Sequence, residues 1–96
     1  MLQDSNTEQR EQKLSRLALY YYPTCPFCVI VLDVIESIGL ALELRNIFAN
    51  TEWRQELIRE GGRSTVPCLR IEHDVDEPQW MYESQEIIHY LKTEFL

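Results

Sequence analysis

A chain of 96 residues has room for one domain, and its 45% hydrophobic share suits a packed globule rather than a disordered polymer. A formal charge of −7 opposes nucleic-acid phosphates at long range, and no apolar run approaches the ~20 residues that a membrane span needs. Three cysteines, an odd number, do not read as a secreted disulfide framework, and the polar stretch from Met1 to Lys13 has no apolar core of a signal peptide. The expected setting is a reducing cytoplasm, where a C-x-x-C pair is catalytic or metal-binding.

Residues 1–13 are charged and amide-rich and read as a flexible polar tail or a frayed helix, leaving 14–96 as a single domain. Leu17 to Tyr22 is a short apolar and aromatic run that stops at Pro23, as a buried first strand does. Pro26 suits the first turn of a helix in which Phe27, Ile30, Val31, Val34, Ile35 and Ile38 keep helical spacing until Gly39. Leu42 to Ile47 alternates like a half-buried strand. Asn50 or Thr51 caps a second helix, with Trp53, Leu57 and Ile58 inward and Gly61-Gly62 as its stop. Val66 to Ile71 reads as a third strand and Gln79 to Tyr82 as a fourth, joined by an acidic turn. Ser84 caps a last helix that faces the core with Ile87, Ile88, Leu91 and Phe95. The order β-α-β-α-β-β-α predicts an α/β fold with one four-stranded mixed sheet flanked by helices.

Cys25 falls where the first strand gives way to the first helix. A thiolate there meets unpaired backbone N–H groups and the positive end of the helix dipole, so its pKa is expected below the free value. Cys28, one helical turn on, is placed to attack a mixed disulfide formed on Cys25. Cys25 is thus expected to be the exposed nucleophile and Cys28 the more buried resolving thiol. Two unrelated core cysteines are the bland alternative, yet a strand-to-helix turn with proline between the thiols is a poor place for filler. Zinc needs four ligands, and Cys68, His73 and His89 offer no second C-x-x-C or other ligand spacing, so no metal is expected.

YPTCPFC at 22–28, followed by GGRSTVP at 61–67, resembles the glutaredoxins, the glutathione-using branch of the thioredoxin superfamily. The resemblance runs from about Leu17 to Leu91 and implies a thioredoxin-like fold. It also implies that Cys25 is the nucleophile and Cys28 the resolving thiol. Pro67 would be a cis proline that presents the Val66 backbone to the cysteinyl part of glutathione, with Thr65 flanking the groove. Arg54 matches a position where a basic residue helps to hold the glycine carboxylate. Two departures stand out. Tyr22 occupies the place of a lysine that lies near the thiolate in many glutaredoxins, so one cation is lost there. After the fourth strand, WMYESQEIIHYL is similar to the glutathione transferase N-terminal domain, where Glu-Ser holds the γ-glutamyl group. Glu83 would then pair with the α-ammonium, and Ser84, at a helix start, with the α-carboxylate.

The leading expectation is a monomeric, cytoplasmic dithiol oxidoreductase that uses glutathione as co-substrate to reduce glutathionylated or disulfide-bonded proteins. Two alternatives belong to other classes. One is a glutathione transferase-like glutathione-binding domain, although the all-helical second domain of that family is not in this sequence. The other is an iron–sulfur cluster-binding protein, which Pro26 and Cys28 disfavour relative to a single-thiol C-G-F-S site.

Overall fold

A computed structural model describes residues 2–96, with side chains from Glu8 onward; Met1 and the side chains of residues 2–7 lie outside the described residues. The elements run α1 (Leu2–Ser15), β1 (Leu17–Tyr21), α2 (Pro26–Ile38), β2 (Glu43–Asn46), α3 (Thr51–Glu56), β3 (Cys68–Ile71), β4 (Gln79–Met81) and α4 (Ser84–Phe95), with a π-helical turn at Leu57–Gly61. The sheet order is β2-β1-β3-β4. β1 lies parallel to β2 and antiparallel to β3, and β4 returns antiparallel to β3. This is the thioredoxin-like α/β fold that the sequence predicts, with one helix added in front.

That added helix falls on the segment expected as a loose tail or frayed helix. Glu, Gln, Arg and Lys are good helix formers, and tertiary contacts hold the segment's end. Leu14 is buried in the core, and the Arg10 guanidinium donates to Phe95 O at 3.2 Å and Ile38 O at 3.5 Å. Arg10 thereby supplies a cation to the C-terminal ends of both α2 and α4, where carbonyls lack partners.

One face of the sheet carries the larger core, built from Leu17, Leu19, Val31, Ile35, Leu69, Ile71, Ile87 and Leu91 among others. The opposite face carries Tyr20, Ile47, Leu57 and Cys68, with Trp53, Trp80 and Tyr82 packed beside them. The Tyr20 hydroxyl and the Glu56 carboxylate are hydrogen-bonded, and Arg45 Nη1 donates to both, at 2.6 Å each. Burial and the Glu56 carboxylate hold the Tyr20 hydroxyl protonated well above its ordinary range. This triad ties β1, β2 and α3 together.

Several local expectations are corrected. Buried positions on α2 are Cys28, Val31 and Ile35, whereas Phe27 and Ile30 are exposed. The buried stripe runs through Cys28, Val31 and Ile35, and Phe27 and Ile30, each one residue before a member of that stripe, lie about 100° around the helix from it. Ile58 is likewise exposed, while its neighbour Leu57 is fully buried; the chain takes an i→i+5 turn over Leu57–Gly61. Leu44 is also partly exposed on the edge strand β2. Val66 and Pro67 precede β3 rather than open it, and the peptide bond between them is cis. The cap of α4 is Glu83, in extended conformation (φ −87°, ψ 126°), and its carbonyl already accepts from Ile87 N at 2.9 Å. Ser84 is therefore the first helical residue, not the cap.

Candidate active site

Cys25 is the N-cap of α2, in extended conformation (φ −74°, ψ 119°), and Pro26 at the first helical position forgoes an N–H that would have no helical partner. In place of a capping oxygen, the Cys25 sulfur accepts the Cys28 N–H at 3.3 Å. The bond turns a backbone N–H of the first helical turn toward the sulfur. The Cys25 thiol also donates to Val66 O at 3.8 Å, so the end of the cis-proline loop stands against it. Neither cysteine is as open as the nucleophile's role suggests: Cys25 is 4% exposed and Cys28 0%. The ranking follows expectation, but Cys25 shows only an edge to solvent because the Val66 carbonyl and the helix start cover the rest.

Burial pushes the Cys28 thiol up to about 12, and the hydrogen bond with Cys25 acts in the same direction. Cys68, on β3 opposite Tyr20, is fully buried and also pushed up to about 12 by desolvation. Its neighbour Tyr82 is raised to about 12, again chiefly by burial, and its Oη has no hydrogen-bond partner among the described residues. All three cysteines are free thiols.

Beside Cys25 lies a cleft of about 260 Å³, lined by Phe27, Arg63, Thr65, Val66, Pro67, Tyr82, Glu83 and Ser84. It gathers Thr65, Val66, Pro67, Glu83 and Ser84, five of the residues the sequence singles out, from two loops far apart in the chain. Tyr22 and Arg54 do not line it. Tyr22 contributes its backbone, whose carbonyl accepts from Cys25 N at 3.2 Å, while its ring stacks on Phe48 with centroids 4.4 Å apart. Arg54 is an exposed residue of α3. Sequence reasoning missed Phe27, Arg63 and Tyr82. The signal for Arg63 was present: a cation between a Gly-Gly stop and Thr65-Val66-Pro67, in a chain of net charge −7.

A larger recess of about 450 Å³ lies on the outer side of α4, lined by Met81, Gln85, Glu86, His89, Tyr90 and Thr93. The chemistry favours the smaller cleft, because its Val66 carbonyl is the one that accepts from the Cys25 thiol. His73 is exposed in the β3–β4 turn. Among the described residues no three His, Cys, Asp or Glu side chains converge as metal ligands would. No helix is long and apolar enough to cross a membrane among those residues.

The family model for glutaredoxin matches residues 17–76. Glutaredoxin 3 of Escherichia coli K12 is 30% identical over 59 residues, covering 62% of this chain and 71% of that protein. Among solved structures, a mutant thioredoxin-like protein superposes with a TM-score of 0.68 at 18% identity, over 84% of this chain and 97% of that one. A glutathione transferase homologue from Sulfitobacter, with bound glutathione, gives a TM-score of 0.63 at 25% identity, over 85% of this chain and 38% of that one. With the family match spanning β1, the C-P-F-C turn, the cis-proline loop and β3, this chain belongs to the glutaredoxin family.

Proposed function

We propose that the protein reduces glutathione mixed disulfides and protein disulfides through Cys25 and Cys28, with glutathione as co-substrate. Family membership makes it a glutathione-dependent thiol oxidoreductase in general kind. The observation that carries the finer reading is the Cys25 sulfur at the head of α2. It accepts the Cys28 N–H and lies against Val66 O, where the cleft begins.

In the first step the Cys25 thiolate attacks the glutathione sulfur of a mixed disulfide. The Cys25–glutathione disulfide forms, and the substrate leaves as a thiolate that takes up a proton. A second glutathione thiolate then attacks the glutathione sulfur on Cys25, releasing oxidised glutathione and regenerating the Cys25 thiolate. In the dithiol route Cys28 loses a proton and attacks the Cys25 sulfur instead, closing a Cys25–Cys28 disulfide and expelling reduced glutathione. Two further glutathiones reopen it. The Val66 backbone and Thr65 would receive the cysteinyl part, and Glu83 with Ser84 the γ-glutamyl end. The activity fits a reducing compartment such as the cytoplasm, with glutathionylated or disulfide-bonded proteins as substrates of a monomer.

A glutathione-coupled assay on a small glutathione mixed disulfide tests this. Wild type should turn over and Cys25→Ser should not; an active Cys25→Ser would remove the role assignment. The Glu83-Ser84 pair in the cleft also favours a second reading, a glutathione transferase-like binding domain. Conjugation of glutathione to a chlorodinitrobenzene, without disulfide reduction, would promote it.

A further inference from the structure

The cleft beside Cys25 holds two opposite charges, Arg63 and Glu83. The Arg63 guanidinium carbon lies 5.0 Å from the centroid of the Tyr82 ring, which also lines the cleft. A cation over an aromatic face is held in place without being neutralised. Among the described residues no carboxylate lies within ion-pair distance of Arg63, whereas Arg16, Arg45 and Arg59 each have one. The backbone prepares this position. Gly62, in the left-handed region at φ +87°, turns the chain out of the π-helical turn and into Arg63. Gly61 leaves room for the Tyr82 ring, because a Cβ there would stand 2.5 Å from Tyr82 Oη.

We propose that Arg63 is the carboxylate-recognition residue of this cleft, pairing with the α-carboxylate of the γ-glutamyl group while Glu83 takes the α-ammonium. The inference rests on the glutathione reading above and adds a residue to it. An amino-acid head group presents one carboxylate and one ammonium, and the cleft offers one cation and one anion. Ser84 and the N-terminus of α4 remain as supplementary neutral donors. The planar guanidinium can grip both carboxylate oxygens, which a hydroxyl cannot. In a chain whose overall charge of −7 disfavours anionic ligands, a local unpaired cation decides where a carboxylate settles.

Calorimetric titration with S-methylglutathione and two analogues tests the assignment. One analogue carries 4-aminobutyrate in place of the γ-glutamyl group and lacks the α-carboxylate; the other carries glutarate and lacks the α-ammonium. Arg63→Gln should weaken S-methylglutathione and the glutarate analogue by about tenfold each. It should leave the 4-aminobutyrate analogue within about twofold of wild type, which also shows that the variant keeps its fold. Arg63→Lys should recover much of the loss. Unchanged affinity for S-methylglutathione in Arg63→Gln, or an equal loss for both analogues, overturns the Arg63 assignment and leaves the glutathione reading standing. A wild-type chain that fails to bind S-methylglutathione overturns both.

Discussion

Closure of the Cys25–Cys28 disulfide should keep accelerating with pH well beyond the point where an external thiol is fully ionised. Burial, with help from the neighbouring Cys25 thiol, raises the Cys28 thiol to about 12, against about 8.5 for a free thiol, and burial, the larger cause, persists once Cys25 carries glutathione. Near neutral pH the Cys28 thiolate is thus scarcer than a free thiolate by up to about three and a half powers of ten. Greater intrinsic nucleophilicity, at a Brønsted slope of about 0.45, returns about one and a half of those powers. Cys28 therefore attacks about a hundredfold less readily than an equally placed free thiol, and only its position next to Cys25 compensates. Cys28→Ser should nonetheless keep substantial turnover, because an external glutathione thiolate can replace the resolving thiol. The assay loads Cys25 with glutathione, holds it in acid, and jumps the pH with no external thiol present. Released glutathione then reports closure. The rate should rise about tenfold per pH unit from 7 to 10, whereas resolution of Cys28→Ser by added glutathione should level off near pH 9. A closure rate that also levels off near pH 9 would refute the buried, protonated Cys28.

Three further outcomes follow from the packing. Ser84→Ala should weaken glutathione binding by about 1 kcal/mol or more. Because Glu83 caps α4 instead, the same variant should change unfolding free energy by no more than about 0.5 kcal/mol, so chemical denaturation beside calorimetry separates the two effects. Gly61→Ala brings a Cβ to 2.5 Å from Tyr82 Oη and 2.9 Å from Trp80 Cε3, and should cost about 1–3 kcal/mol by overpacking. A melting temperature unchanged from wild type would contradict that contact. Glu56→Ala removes the carboxylate shared by Tyr20 and Arg45 and should destabilise by about 1–3 kcal/mol; a thermal melt matching wild type would show that water replaces it without cost.

The order of strands and helices was legible because each element carries its own pattern: the aromatic run ending at Pro23, the proline at the start of α2, the stop at Gly39. The thiol pair was equally legible, since a strand-to-helix turn dictates what a cysteine there faces. What escaped involves contacts between distant segments. Phe27 and Ile30 fit helical spacing, but the buried stripe is set one residue on, through Cys28, Val31 and Ile35, and a helix apolar on so many positions does not show which stripe the sheet will cover. Glu83 and Ser84 are both able to start a helix, and a one-residue shift in the cap leaves no trace in the pattern. Arg63 looked like any solvated charge until Tyr82, 19 positions later, was placed beneath it. The triad of Tyr20, Arg45 and Glu56 is invisible for the same reason.

Arg10 reaches the last carbonyls of both α2 and α4, while Phe27 and Ser84, at the opposite ends of those helices, line one cleft. The two helices therefore run side by side in the same direction. At 1.5 Å per residue, their 13 and 12 residues set the clasp about 20 Å from the thiol. A reporter or redox partner fused after Leu96 would emerge on the clasp side and leave the mouth of the cleft unobstructed. For a tethered disulfide to be handed back to Cys25, a Gly/Ser connector would have to bridge that length. At about 5–6 Å times the square root of its residue count, roughly 12–16 residues suffice as the crow flies, and more are needed to pass around the molecule. Connectors much shorter than this should leave the fused disulfide accessible only to another molecule's Cys25, making its reduction depend on protein concentration.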